Sequence, residues 1–286
     1  MSPGFLVCIV KFALICQVFA LPALGDDIIL AAASYDYKTW DCRIEDDKFV
    51  LTVKHRLTIN SPRGDDYRGL RIRENAYTRL ERVDARVLDA SGSVIYTRDK
   101  DDMTKACGFG SISLYSDACL YYTLLESSQY PYVIEYEYQL ESKSLFFWRG
   151  VQFQHHIPVR SASYQLSVPR GFGFHSKLYE IDLEPRVTES ENRVAYLWSA
   201  SNLTAIDEVD HLPPGYNEGA RIDFAAEHLE LEDYELTRCD WTGIGLWYRD
   251  LAHDRYLSGG RGIAAADPMA AARAIFDETR RQIRYV

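Results

Sequence analysis

The sequence predicts a mainly β protein: an antiparallel sandwich or open barrel, followed by two C-terminal α-helices. Three observations predict it. Apolar residues recur with period two in several separate stretches, the repeat of a half-buried strand. The chain carries 20 tyrosines and 12 phenylalanines, residues suited to pleated surfaces. No helical period appears before residue 240, so consecutive strands must be joined by turns, which favours antiparallel sheets.

The first 25 residues have one cation, Lys11, and then an apolar stretch from Phe12 to Leu24 broken only by Gln17 and Pro22. That layout predicts a secretory signal cleaved after Gly25, with an alternative cut a few residues earlier at Val18 and Ala20. The 13 residues from Phe12 to Leu24 fall short of the roughly 20 a spanning helix needs, so no stable membrane anchor is expected after cleavage. The product is expected in the periplasm or outside the cell.

From Lys48 to Asn60, Phe49, Leu51, Val53, His55, Leu57 and Ile59 share one face of a strand, and Thr52, Lys54, Arg56 and Thr58 the other. A hairpin follows: Val83, Ala85 and Val87, a turn at Asp89-Ala-Ser-Gly92, and a return through Val94, Ile95 and Tyr96. The clearest strand places Tyr132, Ile134, Tyr136, Tyr138 and Leu140 opposite Glu135, Glu137 and Gln139. Further alternation marks Tyr164, Leu166 and Val168 before Pro169, and Val194, Tyr196 and Trp198 after the turn at Ser190-Glu-Asn192. The β region is expected over residues 26–235, as one unit or two packed subdomains.

Residues 236–286 are expected to form the helical pair. Asp240 can cap a helix from Trp241 to near Tyr256, with Ile244, Trp247, Tyr248 and Leu251 on one stripe. After the loop Ser258-Gly-Gly-Arg-Gly262, Asp267 caps and Pro268 opens a second helix with a stripe of Ala272, Ile275, Phe276, Thr279 and Ile283. Its pattern is still running at Val286, which predicts a longer natural chain.

Composition excludes some functions. Net charge is −10, and loss of Lys11 makes the mature chain more acidic still, so nucleic acid is not an expected partner. Four cysteines remain beyond the signal: Cys42, Cys107, Cys119 and Cys239. Cys107 and Cys119 flank a Gly- and Ser-rich stretch, and a local disulfide between them is expected in an oxidising compartment. No zinc-type spacing is present, and no cofactor or metal is expected.

The catalytic candidates are weak. His155 and His156 are adjacent on an expected strand, so their side chains point apart and do not share a metal. Cys239, Asp240 and His253 have the residue types of a cysteine–histidine–aspartate centre, but a helix between them would separate thiol and imidazole by about 20 Å. Asp207, Glu208, Asp210 and His211 before Pro213 and Pro214 read as loop charges without the spacing of a calcium loop. Asn202-Leu-Thr204 is a formal glycosylation sequon. The glycines at 171, 173, 259, 260 and 262 read as turns. No catalytic, cofactor or metal residue is assigned.

One resemblance covers roughly residues 35 to 286. Ile134 to Tyr138, Trp148, Gln154, Pro158-Val159, Tyr164 and Val168-Pro169 follow the order of motifs in the N-terminal domain of unknown function of bacterial secreted transglutaminase-like superfamily proteins. The segment Tyr196 to Pro214 and the helices Trp241 to Arg255 and Ala272 to Val286 resemble what leads into the transglutaminase-like core. The resemblance implies a non-catalytic β region that packs on a papain-like core and positions a protein or peptide substrate, the triad lying in that core. The alternative is a self-sufficient exported module that binds glycan or protein through aromatics such as Trp40, Trp148 and Trp198. The sequence leaves the assembly state open.

Overall fold

The computed structural model describes residues 31–46, 48–108, 118–206, 219–231, 234–236, 240–252 and 267–282. The expected signal therefore lies outside the described residues. In chain order the strands are β1 (Ala33–Glu45), β2 (Lys48–Ile59), β3 (Gly69–Glu74), β4 (Thr78–Leu88), β5 (Val94–Asp99), β6 (Thr104–Cys107), β7 (Cys119–Leu124) and β8 (Tyr132–Ser142). They continue as β9 (Val151–Gln152), β10 (Val159–Pro169), β11 (Phe174–Tyr179), β12 (Arg186–Glu189), β13 (Arg193–Leu203), β14 (Arg221–Ala226), β15 (Leu229–Leu231) and β16 (Tyr234–Leu236). Two helices follow, α1 (Trp241–Ala252) and α2 (Pro268–Gln282).

Eight strands form one large open sheet in the order β12-β13-β10-β1-β2-β8-β4-β5. Its inner face is built by the alternation seen in sequence. On β2, Phe49, Val53, Leu57 and Ile59 are buried, and on β10, Tyr164, Leu166 and Val168 are buried. Two three-stranded sheets, β11-β14-β9 and β3-β7-β6, add further buried residues to the same core: Ile222 and Phe224 from the first, Leu70, Ile72 and Tyr121 from the second. The mainly β class with two C-terminal helices is as expected, and the large sheet does not close into a barrel. It is mixed rather than wholly antiparallel, because β1 pairs in parallel with β10, Tyr35 lying beside Val159 and Arg43 beside Ser167.

The opposite face of the large sheet is polar. Arg56 pairs with Glu135 and, at 3.3 Å, with Asp36. Lys54 and Arg82 meet Glu137 at 2.9 and 2.5 Å. Each exposed pair contributes little. Together they mark this face as the solvated side of the sheet.

The β4–β5 hairpin closes as expected. Asp89 N–H donates to the Ser93 carbonyl at 2.9 Å, and Asp89 Oδ1 accepts from the N–H groups of Ser91 and Ser93 at 2.8 and 3.0 Å. Gly92 sits at φ +86°, which an L side chain adopts only under strain. Gly92→Ala is expected to lower stability by about 1 kcal/mol in chemical denaturation. A neutral result would show that the turn readjusts.

The Cys107–Cys119 disulfide ties β6 to β7 where the two residues pair directly. At the helices, Asp240 Oδ1 accepts from Gly243 N–H at 2.7 Å and Asp267 Oδ1 from Met269 N–H at 3.0 Å, so both expected caps are present. Much of each apolar stripe is open: Ile244 is 40% exposed, Tyr248 66%, Ile275 57% and Phe276 61%, while Trp247 is half-buried. No helix among the described residues is long and apolar enough to cross a membrane.

Candidate functional site

Two features combine chemistry with position: a polar row buried under the large sheet, and a cleft where the inner layer leaves that sheet uncovered. The row starts in β1. A register shift between Tyr35 and Tyr37 changes the side-chain alternation, so that Tyr35 and then Lys38, Trp40 and Cys42 are buried. Lys38 lies beside His55 of β2, His55 beside Tyr136 of β8, and Tyr136 beside Ala85 of β4. A lysine thus occupies a core position.

Lys38 is 3% exposed. Its Nζ donates to the Gln152 carbonyl at 2.7 Å and lies 5.1 Å from the ring centres of both Tyr35 and Trp40. Burial penalises the ammonium and pulls its pKa down to about 7. His55 shares a hydrogen bond of 2.8 Å between Nδ1 and the Tyr136 hydroxyl, and its ring stands edge-on to Trp40 at 5.0 Å. His155 enters from the segment after β9 and stands edge-on to Tyr35 and Tyr67, at 5.4 and 5.7 Å. Burial, reinforced by the charge of Lys38, holds His55 well below the usual imidazole range and His155 at about 4. Both imidazoles are therefore neutral at pH 7. His55 Nε2 and His155 Nδ1 are buried and hydrogen-bond to no described protein group. A cavity of about 450 Å³ lined by Arg63, Tyr67, His156 and Asn202 reaches the outer side of this row at Tyr67.

The cleft has a volume of about 330 Å³. Phe49, Leu51, Tyr138 and Leu140, all from the inner face of the large sheet, contribute its apolar surface. One wall is β3, an edge strand of its small sheet, with Arg71 and Arg73 exposed on one side of it. The other wall is the segment Phe147–Val151 leading into β9, the edge strand of the other small sheet. A neighbouring depression of about 510 Å³ shares Trp148 to Val151 and continues to Gln152, Arg221 and Asp223. Gly150 is required there, because a Cβ would collide with the Ile222 carbonyl and Asp223.

The residues singled out in sequence are distributed otherwise. His155 and His156 lie in a loop, not on a strand, because the pairing of β9 ends at Gln152. Their rings are 5.7 Å apart and diverge, His155 inward and His156 toward the Ile206 carbonyl at 3.3 Å. Among the described residues no group of three or more His, Cys, Asp or Glu could hold a metal ion. Cys239 and His253 lie outside the described residues, as do Asp207, Glu208, Asp210 and His211. Asn202 is at the end of β13 in the left-handed region, φ 54°, and lines the 450 Å³ cavity. Gly171 is a turn residue at φ +88°. Trp40, Trp148 and Trp198 are 8, 5 and 2% exposed. They are core, so they offer no open aromatic platform. Cys42 is fully buried and its thiol is pushed up to about 12, which suppresses the reactive thiolate.

Sequence reasoning placed His55 on the inner face but missed Lys38, because the register shift breaks the alternation of β1. Arg71 and Arg73 alternate with Leu70 and Ile72, a signal that period-two reading could have found.

Fold and site together define a layered β protein with a charged outer face and an arginine-walled inner cleft. By its sequence, the chain belongs to the family described as a domain of unknown function with a solved structure, DUF3857, whose profile matches residues 45–207. No curated protein matches the chain. It is similar to a crystal structure of a candidate protease from Parabacteroides distasonis ATCC 8503, with TM-score 0.64 and 12% identity. That match covers 88% of this chain and 50% of the other, so the chain spans half the length of that protein. An M1 zinc metallopeptidase from Deinococcus radiodurans matches at TM-score 0.34 and 9% identity, over 71% of this chain and 45% of that one. At that score it carries no argument.

Proposed function

We propose that this chain is the non-catalytic β region, with the opening helices, of an exported transglutaminase-like protein, packing on a catalytic core and positioning a protein or peptide substrate. The observation that carries the reading is the pair of well-capped helices whose apolar stripes expose residues such as Tyr248 and Phe276 to solvent. Exposed apolar stripes on two successive helices are the surface a further folded unit would cover. Two findings support it: the chain shares its fold with half of a longer candidate protease, and its Cys107–Cys119 disulfide suits an oxidising compartment. The buried state of Trp40, Trp148 and Trp198 removes support from a module that binds glycan through those rings.

The purified chain is expected to show no amide hydrolysis and no amine transfer on peptide substrates. Clear turnover that disappears in Cys239→Ala would overturn the proposal, since it would place the nucleophile in this chain.

A further inference from the structure

We propose that the cleft between β3 and β9 is a docking groove for an extended acidic peptide, which adds as a strand to the edge of β3 that pairs with no other strand among the described residues. The proposal deepens the substrate-positioning part of the reading above by naming the substrate chemistry, and its geometry comes from the β region alone.

Charge complementarity carries it. Arg71, Arg73 and Arg149 line the groove and none forms an ion pair among the described residues. On the polar face of the large sheet, by contrast, Arg56, Arg82 and Arg86 are matched to carboxylates, as is Arg170 just after β10. Glu74, which lines the groove, is engaged with Lys105 at 2.7 Å and Leu80 N–H at 3.1 Å, and Asp223 of the neighbouring depression with Arg221 at 3.5 Å. Three unmatched guanidinium groups at one cleft, in a chain of net charge −10, make a local positive site that the protein as a whole opposes.

Strand geometry sets the rest of the ligand. Arg71 and Arg73 are two residues apart on one face of β3, a spacing of about 7 Å. An added strand places its own alternate side chains at the same spacing, so carboxylates at alternate positions meet both arginines, which can bind them bidentately. The residues between them then fall on the side of Leu70 and Ile72, toward the apolar surface of Phe49, Leu51 and Leu140. The fitted ligand is therefore an acidic–apolar–acidic repeat in extended form, held by main-chain pairing along the edge and read by side chains. Arg149 on the facing wall supplies a third contact.

The test is fluorescence polarisation with the purified chain and two labelled peptides, Gly-Glu-Leu-Glu-Val-Glu-Gly and Gly-Lys-Leu-Lys-Val-Lys-Gly. The acidic peptide is expected to bind saturably, more weakly at high salt, and the lysine peptide not at all. The double variant R71E/R73E, and R149E from the opposite wall, are each expected to weaken binding by at least about tenfold, with Arg160→Glu, an exposed position of β10, as the control of equal charge change for R149E and R160E/R186E as that for the double variant. Thermal unfolding of each variant separates lost binding from lost folding, and R149E keeps the test alive if the double variant does not fold. No saturable binding of the acidic peptide, equal binding of the lysine peptide, or affinity unchanged in R71E/R73E and R149E would overturn the proposal. Such a failure leaves core packing standing, since the assay contains no core, and turnover by this chain would overturn core packing without touching the groove.

Discussion

Replacing Trp148 by alanine will lower the stability of the β region by about 3–5 kcal/mol, the cost of emptying an indole-sized space in a packed core. Trp148 joins the layers of the fold. Its Nε1 donates to the Tyr164 hydroxyl of the large sheet at 3.1 Å, and its ring stacks on Phe224 of β14 at 5.0 Å with an interplanar angle of 10°. Phe172 and Phe174 flank it at 6.4 and 6.0 Å. No neighbour can fill that volume without moving β14 against β10. Trp148→Phe keeps an aromatic ring in place but removes the donor to Tyr164, and is expected to cost about 1–3 kcal/mol. Urea unfolding followed by far-ultraviolet circular dichroism measures both. A Trp148→Ala chain within about 1 kcal/mol of the parent would show that the layers are held elsewhere. Because Trp148 also lines both cavities of the arginine-walled groove, this variant should lose peptide binding together with stability.

Replacing Lys38 by methionine will raise stability at neutral pH by about 2–4 kcal/mol, and will remove a rise in stability above pH 7 that is expected of the parent chain. The unfolded lysine holds its proton up to its ordinary value of 10.5, whereas the folded one releases it near 7. Between those values the unfolded chain binds more protons, so stability rises with pH, and below about 7 this group adds no further slope. Several groups oppose the trend at higher pH, because burial also raises the folded values of Cys42, Tyr35, Tyr132, Tyr136, Tyr138 and Tyr164. Cys42 and Tyr35 have folded values raised to about 12, so the stability they contribute declines above their ordinary values of 9.0 and 10.0. The clean window is therefore about pH 7 to 9, where the parent should gain about 2 kcal/mol and Lys38→Met should stay flat. Methionine loses the hydrogen bond to the Gln152 carbonyl, which lowers the gain by about 1 kcal/mol. His155, with a folded value near 4 against an ordinary 6.5, acts in a separate window, stability falling as pH drops from about 6.5 to 4 in both proteins. A Lys38→Met chain less stable than the parent at pH 7 would mean that the amine is held by more than the contacts described.

The two variants differ in how far the sequence alone would have suggested them. Trp148 stands in the ordered motif set, and its aromatic character marks it as core or platform. Only its contacts with Tyr164 and Phe224 decide for core. Lys38 gave no sign of itself. It lies in β1, a strand that period-two reading passes over because Tyr35, Tyr37, Lys38 and Trp40 do not alternate, and the register shift that reconciles them exists only against β2. β2, β8 and β10 were legible because apolar residues alternate with mainly polar ones along each, and β4 and β13 because at least three apolar residues recur at every second position.

The sequence by itself determined the local units: strands with a buried face, a hairpin at Asp89–Gly92, a Cys107–Cys119 bridge and two helices begun by Asp240 and Asp267. Each follows from the periodicity, turn chemistry or capping of residues near one another in the chain. Tertiary structure alone decided that β1 runs parallel to β10 across more than a hundred residues, that Lys38 and His55 share a buried row, and that Arg71, Arg73 and Arg149 face one cleft. The physical reason is that register and sheet order depend on how whole faces fit together. A one-residue shift moves every side chain to the other face, and no local pattern reports on which edge strands are left free.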